Sequence, residues 1–273
     1  MSANRPENVP VFILCGGLGS RLGALAADRP KPMVEIDGEP ILQHVMRCYA
    51  RFGFRRFVLC TGHRDEVIAR HFLDFSAIHE DFTVDLATRS LAFHQTGSLP
   101  DWQVTIAHTG RDCMTGARLA RAASRYMDDA ENFALTYADG VCNADLGAEL
   151  LFHLVHRHIG TVLAVHPQSA YGEFLRGESG LPVFSEKPRD EDRWISGGFF
   201  FFHRRFLDYL SHDPDCVLEG EPLARLSREH ELALFHHDGF WSSMDTPCDH
   251  ARMNALCEDG SAPWHEEEAD AHR

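Results

Sequence analysis

Val11-Phe12-Ile13-Leu14-Cys15-Gly16-Gly17-Leu18-Gly19-Ser20-Arg21-Leu22 is the stretch from which the rest of the chain is best read. Five apolar residues without polar alternation predict a strand buried on both faces. The glycines that end it let backbone N–H groups approach a phosphate closely. Ser20 and Arg21 add a hydroxyl and a planar fork for phosphate oxygens. Lys31, inside Pro30-Lys31-Pro32-Met33, adds a compact charge a few residues on. A bare Gly-Gly pair is ordinarily only a tight turn, but Arg and Lys at these offsets point to an anion. Two familiar phosphate loops are excluded. Gly-x4-Gly-Lys-Ser/Thr fails because Lys31 is too far from the glycines, and Gly-x-Gly-x-x-Gly fits Gly17 and Gly19 but then meets Leu22.

Outward from this loop, apolar runs alternate with helical periodicity. Ile41, Val45, Cys48 and Phe52 recur at helical spacing behind Pro40, and Arg56 to Cys60 reads as a second strand. Helices are predicted over 65–72, 117–126, 146–157, 206–210, 222–229 and 247–257. Strands are predicted over 102–107, 133–136, 161–165, 198–202 and 232–235. The stretches 82–94 and 171–185 read as hairpins. This order predicts one α/β domain over 11–260, with a Rossmann-like mixed, mostly parallel sheet, helices on both faces and hairpin insertions. Residues 1–10 and 261–273 are expected to be loose termini.

Composition narrows the function. Hydrophobic residues make up 44% and charged residues 25% of the 273 residues, ordinary for a soluble globular protein. No apolar run approaches the ~20 residues of a membrane span. With 26 basic and 41 acidic residues the net charge is −15, so neither nucleic acid nor an anionic membrane is the expected partner. A phosphate-bearing substrate needs a local basic site that works against this field. The eight cysteines form no Cys-x-x-Cys pair, and no signal peptide precedes Val11. Both point to the cytoplasm.

Further groups carry chemistry. Asp139 follows the strand that ends at Thr136, and Asp245 precedes the last helix. Loop carboxylates at the carboxyl ends of parallel strands are placed to hold Mg²⁺ together with substrate phosphates. Singly, each Asp is more often a cap or turn former, as Asp145 is expected to be. Glu186-Lys187-Pro188 is ordinarily a solvated pair, and Met114-Thr115-Gly116-Ala117-Arg118 an ordinary helix start. His153, His156 and His158 share a predicted helix, yet no Cys or carboxylate at ligand spacing completes a metal site. Surface or packed histidines are the better reading. Phe199 to Phe202 reads as a core strand.

Together these segments resemble the sugar-1-phosphate nucleotidylyltransferase superfamily, through Gly-Gly-x-Gly-Ser-Arg (16–21) and Pro-Lys-Pro (30–32). Within it, residues 11–264 are similar to the α-D-glucose-1-phosphate cytidylyltransferase family. The matching segments are Met-Thr-Gly-x-Arg-Leu (114–119), Thr-Tyr-x-Asp-Gly-Val (136–141), Glu-Lys-Pro (186–188), Gly-Phe-Trp-x-x-Met-Asp-Thr (239–246) and Ala-Pro-Trp (262–264).

The resemblance implies the nucleotide-diphospho-sugar transferase fold and cytidylyl transfer from CTP to a sugar 1-phosphate, as a homo-oligomer. It implies that Leu14, Gly16, Gly17, Leu18, Gly19, Ser20 and Ala138 line the nucleotide, with Arg21 on its outer phosphates and Lys31 on the α-phosphate. Thr115, Gly116 and Arg118 would read the pyrimidine, and Tyr171, Gly172, Glu186, Lys187 and Ser196 would hold the sugar phosphate. Asp139 and Asp245 would hold Mg²⁺. Departures from the family pattern are Ser196, where Asn is usual, and Glu173 beside the expected sugar pocket. They leave open a deoxy, amino or heptose substrate. UTP or dTTP in place of CTP, and a catalytically silent nucleotide-sugar binder, are the alternatives. The presence of Arg21, Lys31, Asp139 and Asp245 together argues against the last.

Overall fold

A computed structural model describes residues 4–17, 19–94, 99–167 and 193–265, and the strand backbone of 172–176 and 182–186. β1 (Pro10–Cys15) is buried along its whole length, as expected for an apolar run in a sheet covered on both faces. A short hairpin, β2 (Glu35–Ile36) and β3 (Glu39–Pro40), leads into α1 (Ile41–Ala50), with Pro40 at its N-cap. β4 (Arg56–Thr61), α2 (Asp65–Leu73) and α3 (Phe75–His79) follow. A hairpin of β5 (Asp81–Asp85) and β6 (Ser90–His94) comes next. Then come β7 (Gln103–His108), α4 (Thr115–Tyr126), β8 (Asn132–Tyr137) and β9 (Gly140–Cys142).

α5 (Leu146–His156) starts at Asp145, whose carboxylate accepts from the Ala148 N–H at 2.7 Å, the expected cap. After β10 (Gly160–Val165) the chain forms a second hairpin, β11 (Gly172–Arg176) and β12 (Pro182–Glu186). β13 (Ile195–His203), α6 (Glu221–Arg228), β14 (Leu232–His237), β15 (Trp241–Ser243) and α7 (Pro247–Glu258) complete the order.

Seven strands form the central sheet in the order β14-β10-β13-β8-β1-β4-β7. All neighbours are parallel except β13, which runs antiparallel to both β8 and β10. The mostly parallel sheet read from the sequence is therefore present, with its one antiparallel strand, β13, third from an edge. Phe199 to Phe202 explain the layering. Phe199 and Phe201 join the cluster under α1, α5 and α7, whereas Phe200 and Phe202 join the cluster under α4 and α6. Period-two alternation of large apolar side chains thus fills both faces of one strand.

Three expectations need correction. The amino terminus is not loose throughout, since Pro6–Asn8 form a short 3₁₀ helix, Val9 is fully buried and Pro10 opens β1. At the other end, Trp264 is 2% exposed and stacks on Phe240 at 5.4 Å, so the chain is packed through His265. Burying one indole is worth about 2–3 kcal/mol, enough to hold a short polar segment down. The helix expected over 206–210 is a 3₁₀ helix, Arg204–Tyr209. The histidines divide between core and surface: His153 is buried and bonds Thr161 Oγ1 at 2.8 Å and Asn132 Oδ1 at 3.2 Å, whereas His158 is exposed and lies past the end of α5 instead of on it.

Candidate active site at the carboxyl edge of the sheet

The glycine loop leaves the carboxyl end of β1 beside the ends of β4 and β8. Gly19 has φ +63°, and a Cβ there would lie 3.0 Å from Lys31 Cβ. Glycine is therefore required both by the turn and by the close approach of Lys31. The chain then coils as a short 3₁₀ segment, Ser20–Ala26, anchored by buried Leu22, which leaves Ser20 and Arg21 exposed at the mouth. Pro30 and Pro32 flank Lys31 in a 3₁₀ turn whose Pro32 and Met33 are buried, so the lysine stem is fixed at its root.

The Lys31 side chain is only 12% exposed. Its ammonium lies between the two carboxylates picked out in the sequence, donating to Asp245 Oδ1 at 2.8 Å and to Asp139 Oδ2. Arg21 reaches the same Asp245 oxygen at 2.8 Å, and Ser243 Oγ donates to the other at 3.0 Å. Burial opposes ionisation of Asp245, but the Lys31 ammonium, Ser243 and Arg21 outweigh it and hold its pKa below the ordinary carboxylate value.

Two small features bring these distant residues together. β9 and β15 pair antiparallel, Gly140 opposite Ser243, and Met244 N–H donates to Asp139 C=O at 2.9 Å. Asp249 Oδ2 then accepts from the N–H groups of Asp245 and Thr246 in the capping box of α7, which fixes the second carboxylate.

Leu14, Gly16, Gly17, Lys31, Thr115, Arg118, Ala138 and Asp139 share one cavity of about 140 Å³, with Tyr137 completing its wall. Leu18 lies outside the described residues. Arg118 is 4% exposed and forms part of the cavity's structure. Nη1 donates to Thr61 C=O, Thr109 Oγ1 and Gly110 C=O at 2.7–3.1 Å; Nη2 donates to Gly16 C=O at 3.2 Å and Arg111 C=O at 3.1 Å. The guanidinium lies so flat on the loop that a Cβ on Gly16 would come within 2.0 Å of its Cζ. This function of Arg118, tying three loops together, was not expected from the sequence.

Glu219 was missed as well. Tyr137 hydroxyl and Thr115 Oγ1 both donate to its carboxylate, the latter at 2.7 Å, and Thr115 Oγ1 accepts from Leu218 N–H at 2.9 Å. Burial, and then the Glu219 carboxylate, push the Tyr137 phenol well above its ordinary pKa. No spacing or composition signal could have paired Glu219 with Thr115, because the pairing depends on how 213–220 folds back on α4.

On the sugar side, register sets Gly172 opposite Glu186 at one end of the β11–β12 hairpin, while Tyr171 and Lys187 lie outside the described residues. Ser196, exposed on β13, accepts from Gly198 N–H at 3.2 Å. Gly198, at φ +79°, lies against the Tyr137 ring, where a Cβ would approach to 2.7 Å, so the start of β13 is held beside the cavity.

The nucleotidyl transferase family model matches residues 11–246. The chain belongs to the nucleotidyl transferase family. Glucose-1-phosphate cytidylyltransferases of Salmonella typhimurium and Salmonella typhi are each 38% identical to it over 252 residues, 92% of this chain and 97% of theirs. At the level of fold, HddC from Yersinia pseudotuberculosis, solved with GMP-PN, superposes with a TM-score of 0.65 at 18% identity, covering 91% of this chain and 99% of that one. The family match spans both the glycine loop and Asp245, so the cavity and its carboxylates fall inside the nucleotidyltransferase unit, and the chain is an enzyme of that class. No helix among the described residues is long and apolar enough to cross a membrane.

Proposed function

We propose that this nucleotidyltransferase moves a cytidylyl group from CTP to a sugar 1-phosphate, with α-D-glucose 1-phosphate as acceptor. The convergence of Lys31, Asp139 and Asp245 at the end of the glycine loop carries the reading. The 38% identity to cytidylyltransferases supports the choice of base and sugar.

Two carboxylates that already share one ammonium form a hard-oxygen donor pair, which fits Mg²⁺ held by one or two carboxylates plus substrate phosphates. Among the described residues no group of three or more His, Cys, Asp or Glu competes for a metal. When bound by Asp139 and Asp245, Mg²⁺ supplies charge neutralisation at the phosphates. An oxygen of the sugar phosphate attacks the α-phosphorus of CTP in line. The new P–O bond forms as the α–β bridging bond breaks, and pyrophosphate leaves. Lys31, rooted between two prolines, needs little movement to face negative charge as it develops on the α-phosphoryl oxygens. Arg21, exposed at the mouth, takes the outer phosphates. Gly16, Gly17, Gly19 and Ser20 present backbone and hydroxyl donors, and Leu14 and Ala138 supply apolar walls. Arg118, with Thr115 and Gly116, shapes the base end. Tyr171, Gly172, Glu186, Lys187 and Ser196 hold the sugar phosphate. Catalysis is positioning plus electrostatics.

The eight cysteines are free, as in a reducing compartment, and we place the reaction in the cytoplasm. We also infer a homo-oligomer. Phe82 pairs with Phe93 and Val84 with Leu91 on one face of the β5–β6 ribbon, all more than 40% exposed, and a lone two-stranded ribbon needs cover. Sedimentation of Val84→Asp should show a smaller species than the parent; an unchanged species places the contact elsewhere.

The decisive assay for the reaction is pyrophosphate release with CTP, UTP, dTTP and GTP across a panel of sugar 1-phosphates. The expected outcome is strongest release from CTP with glucose 1-phosphate. No release from CTP with any sugar phosphate would overturn the reading.

A further inference from the structure

A second polar cleft lies on the far side of the 109–111 segment from the nucleotide cavity. It is an open groove of about 370 Å³ lined by His108, Thr109 and Gly110 on one side and Arg121, Ser124, Arg125 and His212 on the other. In a chain with 41 acidic and 26 basic residues, two guanidiniums around one cleft set a local basic site against the global balance.

The two arginines stand one turn apart on α4, and among the described residues their hydrogen bonds go to carbonyls. Arg121 donates to Thr109 and His212 C=O, each at 3.0 Å. Arg125 donates to Arg121 C=O at 3.0 Å and His108 C=O at 3.1 Å. The carbonyls orient the guanidiniums without neutralising them, and each fork keeps spare N–H donors. The only carboxylate bonded to a lining side chain among the described residues is Asp65, on His108 Nδ1 at 2.7 Å. Backbone-oriented, uncompensated arginines beside a hydroxyl are suited to a phosphate group, which takes bidentate N–H donors.

We propose that this cleft is a non-catalytic anion site that takes the phosphate group of a small metabolite or of the free ion. Its place in the fold links it to the base end of the nucleotide cavity. Thr109 C=O accepts from Arg121, while Thr109 Oγ1 and the carbonyls of Gly110 and Arg111 accept from Arg118. Thr109 thus accepts from both guanidiniums, through its carbonyl on one side and its hydroxyl on the other. An anion that draws Arg121 toward itself loosens its hold on Thr109, and so disturbs the wall that positions Arg118. This coupling rests on the proposed use of CTP, whereas the binding itself does not.

The test titrates inorganic phosphate by calorimetry into the full chain at low salt, saturated with CTP and Mg²⁺ so that the nucleotide phosphate positions are filled; sugar phosphate is omitted to prevent turnover, and any binding at the acceptor position is the part that Arg125→Gln leaves in place. One saturable site is expected. Arg125 is exposed, so Arg125→Gln keeps the fold, and it should weaken binding about tenfold. Arg21→Gln should leave it unchanged. No saturable binding, or equal binding in Arg125→Gln and the parent, overturns the proposal. Ribose 5-phosphate provides a second arm: tighter binding than phosphate assigns the site to a phosphomonoester, equal binding to the free ion, and either supports it. For the coupling, phosphate should change the KM for CTP in the parent and not in Arg125→Gln. An identical change in both places the effect at the catalytic centre and overturns the coupling alone.

Discussion

Lys31→Met separates the electrostatic function of the lysine from its binding function. The substitution keeps an unbranched stem between the two prolines and removes the ammonium, its charge and its N–H donors together. Both Asp139 and Asp245 now contact that charge, so their nearest oxygens lie within about 5.5 Å of each other. Without it, two carboxylates face each other at that distance. At an effective dielectric of about 20 the repulsion is roughly 3 kcal/mol. The carboxylates are 26% and 30% exposed, and solvent screening reduces this to ~1–2 kcal/mol. Three readouts follow. Thermal stability without metal should fall, and Mg²⁺ should restore more of it in the variant than in the parent, because the cation then neutralises a pair that nothing else bridges. Turnover at saturating substrates should fall by ~10²-fold or more, about 3 kcal/mol of barrier, with a smaller change in KM, because the charge is needed most where negative charge develops.

The acid limb follows from Asp245. Its folded pKa lies below the ordinary value of ~3.9, so it contributes stability that is present above that value and is lost as pH falls through the depressed one. In Lys31→Met much of that contribution disappears, so the melting temperature should depend less on pH between about pH 2 and 4. Pyrophosphate release under saturation and melting curves with and without Mg²⁺ check all of this. An unchanged turnover with only a raised KM would show that Lys31 merely binds. Equal Mg²⁺ stabilisation of both proteins would show that the two carboxylates do not form the metal pair.

Asp139→Asn and Asp245→Asn should each lose activity in a way that high Mg²⁺ partly restores; a wild-type rate at low Mg²⁺ in either variant removes that residue as a ligand. Arg118→Ala should cost about 3 kcal/mol or more of stability by denaturant titration, since it removes a buried guanidinium that ties the carbonyls of Gly16, Thr61, Gly110 and Arg111 together and leaves the Gly16 carbonyl without that donor. It should also weaken CTP and UTP use by similar factors; a ratio of their kcat/KM values collapsing toward one would make Arg118 itself the base selector. Glu149 is fully buried, neither of its carboxylate oxygens has a partner among the described residues, and burial raises its pKa well above the usual range. A carboxyl with a raised folded pKa adds stability below the unfolded pKa of ~4.3, and that stability is lost as pH rises toward the folded value. Glu149→Gln should therefore raise the melting temperature by on the order of a few degrees at pH 8 and by much less at pH 4; equal shifts at both would show that the carboxyl is not titrating.

What could be read beforehand follows physical rules that act over short sequence distances. The strand 11–15, the glycine loop after it, the Asp145 cap and the two-sided Phe199–Phe202 strand each depend on a few neighbouring residues, and each is present. The approach of Asp139 to Asp245 was implied by resemblance, but its cause was not legible. β9 and β15 are three residues each, too short for any period to register, yet their pairing is what sets the two carboxylates around Lys31. The carboxyl-terminal segment was misread for a similar reason: its polar composition masks a single Trp264 that finds Phe240 and His44.

Arg118 marks a different limit. Sequence specifies a guanidinium one turn into a helix that begins at the cavity, but not the direction in which it points. Its direction follows from burial. A 4% exposed cation with no carboxylate partner among the described residues must spend its N–H donors on whatever acceptors surround it, and those are the carbonyls at the ends of β1, β4 and β7. Such a residue is closer to a keystone than to a probe of the base. Discrimination between cytosine and uracil then needs an acceptor facing the exocyclic amine. We propose that backbone carbonyls of the glycine loop supply it; Arg118 bonds only that of Gly16 among them, so losing Arg118 should damage the use of both nucleotides while leaving their ratio nearly intact.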